Sequence, residues 1–210
     1  MADVFDLQGP EEPALKAADQ ALSAGELVVF PTDTVYGVAA SPDIPGATHR
    51  LFTAKRRSRG LALPILAAAV EDAAGVAVFD ARARTLGGHF WPGGLTMILP
   101  RAPRANDWDL GDEHDTLGVR IPNHPVALGL LARTGPLAVT SANRSGEPTP
   151  PTCGGILASL GETAAVYLCA GSARGEIPST VVDLTGPEPQ VLREGAVPTE
   201  ALLAALEGAG

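Results

Sequence analysis

Three observations predict an α/β fold built on an open, twisted, mixed sheet of about seven strands with flanking helices. The 210 residues are 45% apolar and 19% charged, enough to bury one sizeable core. Short apolar runs alternate with segments of helical period through most of the chain. The last two runs are separated only by Thr185-Gly186-Pro187-Glu188, which suits an antiparallel hairpin rather than a crossover, so the sheet is mixed.

Residues 11 to 24 (EEPALKAADQALSA) put acids in the first turn and apolar residues at helical spacing, with Gly25 as the stop, and predict a helix. LVVF (27 to 30) is a short strand ended by Pro31, and IPGATHRLFTAKRR (44 to 57) returns to helical period. Strands are predicted at LPILAA (63 to 68), LTMILP (95 to 100), TLGVRIP (116 to 122), LAVTS (137 to 141), AVYLCA (165 to 170), STVVDL (179 to 184) and PQVLR (189 to 193). Helices fit between them at 80 to 90, 124 to 133, 153 to 160 and 198 to 207. No internal repeat, low-complexity tract or linker of changed composition interrupts the pattern, so one domain over residues 1 to 210 is expected.

Fifteen Lys plus Arg against 24 Asp plus Glu give a net charge of −9, which argues against a nucleic-acid binder that depends on a diffuse basic surface. A local basic pocket is compatible with it. Of the cations only Lys16 and Lys55 are lysines, and Lys55 sits beside Arg56, Arg57 and Arg59. Cys153 and Cys169 form no C-x-x-C and have no His spaced to complete a zinc site, so two small buried hydrophobes are expected. The acidic N-terminus has no basic or apolar signal region, and no apolar run approaches a membrane span of ~18 residues. A soluble, cytoplasmic protein is expected.

Three common catalytic templates are missing: G-x-x-x-x-G-K-[ST], G-x-G-x-x-G after the first strand, and G-x-S-x-G. P-loop, Rossmann and serine-hydrolase readings therefore fall. Residues 106 to 115 concentrate five carboxylates and His114 but lack the glutamate that closes an EF-hand loop, so a solvated, mobile acidic loop is expected and no metal site. Gly87-Gly88 and Gly93-Gly94 flank Phe90-Trp91-Pro92 and suit either close approach to a ligand or a helix stop and turn.

The segment Lys55 to Arg59 lies at a predicted helix end, where cations also satisfy the dipole. Four cations in five residues of an acidic chain are more than that requires, and they suit a polyphosphate. Thr140-Ser141-Ala142-Asn143 and Ser179-Thr180 put neutral donors at strand ends, where ligands gather in open α/β sheets; ordinary turn chemistry explains each taken singly. Arg120 falls inside an apolar run and must meet an anion, either a structural salt-bridge partner or a ligand carboxylate.

Together FPTDTVYGVAASP (30 to 42), KRR (55 to 57), FWPGGLTMIL (90 to 99), GVRIPNHP (118 to 125), TSANRSGEPTP (140 to 150), STVVD (179 to 183) and LREG (192 to 195) resemble the YrdC/TsaC family. The likeness runs in order over roughly four fifths of the chain. Members are threonylcarbamoyl-AMP synthases with a twisted, open α/β fold and a concave, positively charged face. The resemblance implies a nucleotidyltransferase that converts L-threonine, bicarbonate or CO2, and ATP into L-threonylcarbamoyladenylate and pyrophosphate. The product serves the threonylcarbamoyladenosine modification of tRNA through a downstream threonylcarbamoyl transferase complex. Such chemistry needs positioned cations and donors more than a protein nucleophile.

Carried over by motif, Lys55 and Arg57 resemble the K-x-R pair at the nucleotide phosphates, while Thr116, Ser141 and Asn143 resemble further ATP contacts. Arg193 resembles a late nucleotide-binding arginine, and Thr152 is one more ATP candidate. Thr34, Arg120 and Ser179 resemble the threonine site. Lys55, Arg57, Ser141 and Asn143 are the implied catalytic group, with Mg2+ arriving on ATP and no metal held by the protein alone. The chain departs from the family at Leu61-Ala62-Leu63-Pro64-Ile65-Leu66, where many members carry a polar residue, Pro-Leu and then a His. The extra C-terminal domain of longer relatives is not expected here. A competing reading is an RNA-binding factor that takes tRNA or double-stranded RNA on the same basic face without catalysis, against which the charge and the 4% aromatic content weigh. A carbamoyl-transfer module, of the kind fused to hydrogenase maturation proteins, would need flanking domains.

Overall fold

Apolar runs in this chain become strands of one sheet, and a computed structural model describes that sheet over residues 1–8, 11–171 and 177–208. The strands are β1 (Asp3–Asp6), β2 (Val28–Phe30), β3 (Gly37–Ala40), β4 (Ile65–Leu66), β5 (Leu95–Pro100), β6 (Thr116–Arg120), β7 (Leu137–Ser141), β8 (Val166–Cys169), β9 (Thr180–Asp183) and β10 (Gln190–Arg193). The helices are α1 (Glu11–Ser23), α2 (Ala47–Lys55), α3 (Val70–Val76), α4 (Ala81–Phe90), α5 (Pro125–Thr134), α6 (Cys153–Leu160) and α7 (Thr199–Glu207). The spatial order is β1-β8-β2-β3-β7-β4-β6-β5-β9-β10. Parallel pairs such as β5 with β9 lie beside antiparallel ones such as β3 with β7, so the sheet is mixed, and β9 and β10 form the expected antiparallel hairpin.

Three elements lie outside the eight strands and six helices placed by residue range above. In β1 the sequence DVFD is half acidic and mostly exposed, so its apolar signal is weak; it adds at the sheet edge, parallel to β8, where charge is tolerated. In β3 the sequence GVAA carries one β-branched residue, yet all four positions are buried between β2 and β7. The third, α3, is a single short helix of seven residues.

The sheet has two unequal faces. One packs a continuous core in which Val29, Val38, Ile65, Met97, Leu117 and Val119 meet Leu51 and Phe52 of α2 and Leu86 of α4. The alternate residues Val28, Phe30, Ala39, Leu137 and Val139 face the other way and are covered by α1 and α5 through Leu15, Leu22, Val126 and Leu130. On that second face the outward residues of β5, β6 and β9, namely Thr96, Ile98, Gly118, Arg120 and Val181, open into a cavity.

Two expectations are corrected by this packing. Cys153 and Cys169 are not free thiols but a disulfide, with Cα atoms 5.4 Å apart, joining the first turn of α6 to the end of β8. The acidic segment 106 to 115 is not a free solvated loop: Trp108 and Leu110 are buried in the core, and the backbone carbonyls of Trp108 and Glu113 bind the buried Arg101 guanidinium. No cluster of three or more metal-ligating side chains is present among the described residues. Nor is any described helix long and apolar enough to cross a membrane.

Candidate active site

The cavity has a volume of about 520 Å3 and opens among the 32–37 loop, the loop after α2, β5, β6, the end of β7 and the β9–β10 hairpin. It brings together Thr34, Arg57, Arg120, Ser141, Ser179 and Arg193 from six separate stretches of sequence. Gly93, the first residue of the second Gly-Gly pair, offers its carbonyl to Arg120 and follows a cis Trp91-Pro92 bond.

Arg120 ends β6 at 6% exposure. Its Nε donates to Gly93 O (2.9 Å), Nη1 to Thr34 Oγ1 (2.9 Å) and Nη2 to Asp33 Oδ1 (2.6 Å). A guanidinium has five N–H groups, so one remains on each terminal nitrogen. The salt-bridge reading is therefore satisfied by Asp33, and Arg120 also lines the cavity with two N–H groups that no described residue accepts. Burial depresses the Arg120 pKa, the charge of Asp33 opposes that fall, and Arg193 adds to it.

The basic segment after α2 divides. Arg56 adopts a left-handed conformation (φ 51°) at the helix end, and the turn releases Arg57 toward the cavity. There Arg57 Nε donates to Leu61 O (2.8 Å) and Nη2 to Ala62 O (3.1 Å). Burial lowers its pKa, and so does repulsion from Arg193. Arg59 points elsewhere, pairing with Asp109 and stacking 5.0 Å from the Phe52 ring centroid.

Lys55 does not cap its helix. Only 1% exposed, its Nζ shares three N–H groups among four oxygens: Thr140 Oγ1 (3.2 Å), Asn143 Oδ1 (3.1 Å) and both the carbonyl and hydroxyl oxygens of Ser141. Desolvation pushes it down to about 7, with repulsion from Arg57 as the second cause. Asn143 also accepts from Ser141 Oγ and donates to the carbonyls of Arg144 and Glu147, so Lys55 and the strand-end residues form one network.

On the opposite wall Arg193 donates twice to Ser179 O (3.1 and 2.7 Å) and once to Ser179 Oγ (3.3 Å). Thr116 shares the face of Gly118 and Arg120 on β6 but lies at the outer end of the strand, beyond the cavity lining. Thr152 is not brought to the site: it caps α6 through Gly155 N and lines a separate depression beside the disulfide. Sequence reasoning missed Asp33 and Thr96. Asp33 sits inside the PTDT motif beside Thr34, and Thr96 is a lone hydroxyl in an apolar run, which was the available signal.

A family model named Sua5/YciO/YrdC, described as "Telomere recombination", matches residues 20–195. The chain belongs to this family. A Mycobacterium tuberculosis relative of the chain, provisionally named threonylcarbamoyl-AMP synthase, is 43% identical over 203 residues, covering 95% of this chain and 93% of that protein. A Bacillus subtilis relative named threonylcarbamoyl-AMP synthase is 34% identical, over 97% of this chain and 60% of its own. Among solved structures, P. abyssi Sua5 complexed with L-threonine superposes with a TM-score of 0.88 at 33% identity, and 98% of this chain spans 60% of that one. The mixed α/β fold is thus the family's.

Proposed function

We propose that residues 1–210 form one catalytic domain, a threonylcarbamoyl-AMP synthase that makes L-threonylcarbamoyladenylate and pyrophosphate from L-threonine, bicarbonate or CO2, and ATP. The observation that carries this reading is one cavity in which Arg120, with two unused N–H groups, lies near two further guanidiniums, Arg57 and Arg193. A carboxylate site beside a phosphate site is what joining an amino acid to a nucleotide requires.

In the reaction the threonine amine adds to CO2 and releases a proton, giving a carbamate. A carbamate oxygen then attacks the α-phosphorus, the bond from that phosphorus to its bridging oxygen breaks, and pyrophosphate leaves. In this reading Arg120 and Thr34 hold the threonine carboxylate and Ser179 a second oxygen of the amino acid. Arg57 and Arg193 neutralise the triphosphate, assisted by Ser141, Asn143 and, at the outer end of β6, Thr116. Lys55 supplies charge from behind the Ser141–Asn143 turn. Bringing two anions together is opposed mainly by their repulsion, which fixed cations offset without reorganising.

Mg2+ would enter on ATP and neutralise phosphate charge, since it keeps several waters and binds largely through substrate oxygens. The oxygens of Ser141 and Asn143 already receive the Lys55 ammonium, and the described residues gather no metal-ligating cluster, so the phosphates rather than the protein would hold the ion. The product would pass to an enzyme that transfers the threonylcarbamoyl group to an adenosine of tRNA, in the cytoplasm. The test is pyrophosphate release together with mass detection of the adenylate. Both should require threonine, bicarbonate and ATP, and release that ignores threonine overturns the reading.

A further inference from the structure

Thr96 is a hydroxyl buried in a strand of otherwise apolar residues. It is 5% exposed, lies on the cavity face of β5, and places Oγ1 2.9 Å from Ser179 Oγ. A β-branched side chain has few rotamers, and the neighbouring strand selects one. A Cβ added to Gly118 would come 3.2 Å from Thr96 Cγ2, so the absence of a side chain on β6 receives the methyl group. With the methyl committed to β6, the hydroxyl turns to β9 and Ser179.

Two hydroxyls bring two hydrogens and use one between them. Arg193 Nη2 also reaches Ser179 Oγ at 3.3 Å, and a guanidinium only donates. Its charge favours the orientation in which the Ser179 oxygen faces the guanidinium and the hydrogen points away. Thr96 Oγ1 has no other hydrogen-bond partner among the described residues, so the arrangement that uses the donor capacity of both neighbours has Thr96 donating to Ser179, with Arg193 and Thr96 on the two lone pairs of Ser179 Oγ. The hydrogen left over belongs to Ser179.

We infer that Thr96 is a positioning residue which, with Arg193, fixes Ser179 as a hydrogen-bond donor to an anionic oxygen of the amino-acid substrate. The inference rests on the function proposed above and adds the polarity of the amino-acid site. A carboxylate or carbamate oxygen accepts and is favoured there, while an ammonium, which only donates, is not. The neighbouring Arg193 charge acts in the same direction.

Thr96→Val keeps the shape and removes the hydroxyl, leaving Ser179 free to turn its hydrogen inward. Calorimetric threonine affinity should weaken about tenfold, equivalent to about 1.4 kcal/mol. ATP affinity and melting temperature should stay at wild-type values, and Thr96→Ser should restore most of the threonine affinity. Unchanged threonine affinity in Thr96→Val, beside a wild type that binds threonine, overturns the inference and leaves the proposed function standing. A lowered melting temperature, with both substrates weakened in proportion, assigns Thr96 a structural role and also overturns it. A wild type that binds no threonine removes both.

Discussion

Lys55 Nζ lies 3.1 Å from Asn143 Oδ1, although 88 positions separate the two residues in the chain. The contact ties the last turn of α2 to the turn after β7, so a single ammonium organises the residues that the Thr140 to Asn143 segment presents to the cavity. Its four acceptors are all neutral oxygens. They stabilise the cation without cancelling its charge.

The Lys55 environment predicts two opposite responses to pH. Folding lowers its pKa from 10.5 to about 7, by burial first and Arg57 second. Between those values the unfolded chain holds a proton that the folded chain has released, so stability should rise with pH across that window. If the proposed phosphate site stands in front of Lys55, ATP affinity should fall as pH passes about 7, because the ammonium behind it becomes neutral. Denaturation and ATP titration from pH 6 to 9 check both, with Lys55→Met as the control that should flatten both profiles. A wild-type profile that matches Lys55→Met removes Lys55 as their source.

Arg101 should matter for folding and not for substrates. Its side chain is buried and donates to the carbonyls of Thr116 (3.0 Å), Ala105 (3.2 Å), Trp108 (3.0 Å) and Glu113. Arg101→Met strands those carbonyls and should cost about 2 to 4 kcal/mol by urea denaturation. Asp107→Asn, on the exposed side of the same loop, should change stability by less than about 0.5 kcal/mol. Equal effects of the two would show that the loop is not held from Arg101.

These two lysine and arginine cases mark what the sequence made legible. The apolar runs of β2 and β4 to β9 could be read because burial of a strand writes itself as β-branched and apolar residues, while the largely exposed β10 was legible through Val191-Leu192 and the turn before it. The acidic edge strand β1 and the small-residue strand β3 carry little of that signal, since their pairing comes from neighbours distant in the chain. At the site the motif residues could be read one by one. What each one touches could not: Asp33 meets Arg120 across 87 positions and Thr96 meets Ser179 across 83, and only the strand order makes them adjacent. The cysteines show the same limit, because their spacing carried no recognisable framework.

The Cys153–Cys169 bond predicts a redox dependence of stability. It closes a loop of 16 positions between α6 and β8, and a loop of that size is worth up to about 3 kcal/mol through the unfolded chain. Reduction, or Cys153→Ser with Cys169→Ser, should lower the melting temperature by several degrees. Thiol titration of the isolated protein should find no free thiol before reduction. Two reactive thiols at the outset, with no change on reduction, would show that the bond is not formed in solution.

Arg120→Lys separates the observed pairing with Asp33 from the proposed grip on the threonine carboxylate. The native guanidinium spends three N–H groups on Gly93, Thr34 and Asp33 and keeps two for a ligand. A lysine has three donors in all, so a lysine that satisfied those partners would have none left, and it lacks the planar fork that matches a carboxylate. Threonine affinity should therefore fall about tenfold or more, on the order of 1.4 kcal/mol or above, with ATP affinity retained. If Arg120 served only the pair with Asp33, the pattern would differ: the melting temperature would drop, and both substrates would suffer in proportion to the folded protein lost. Measuring the melting temperature beside both affinities decides between them. A variant that melts early yet, where folded, binds threonine as the wild type does would take Arg120 out of the amino-acid site and leave it as the structural partner of Asp33.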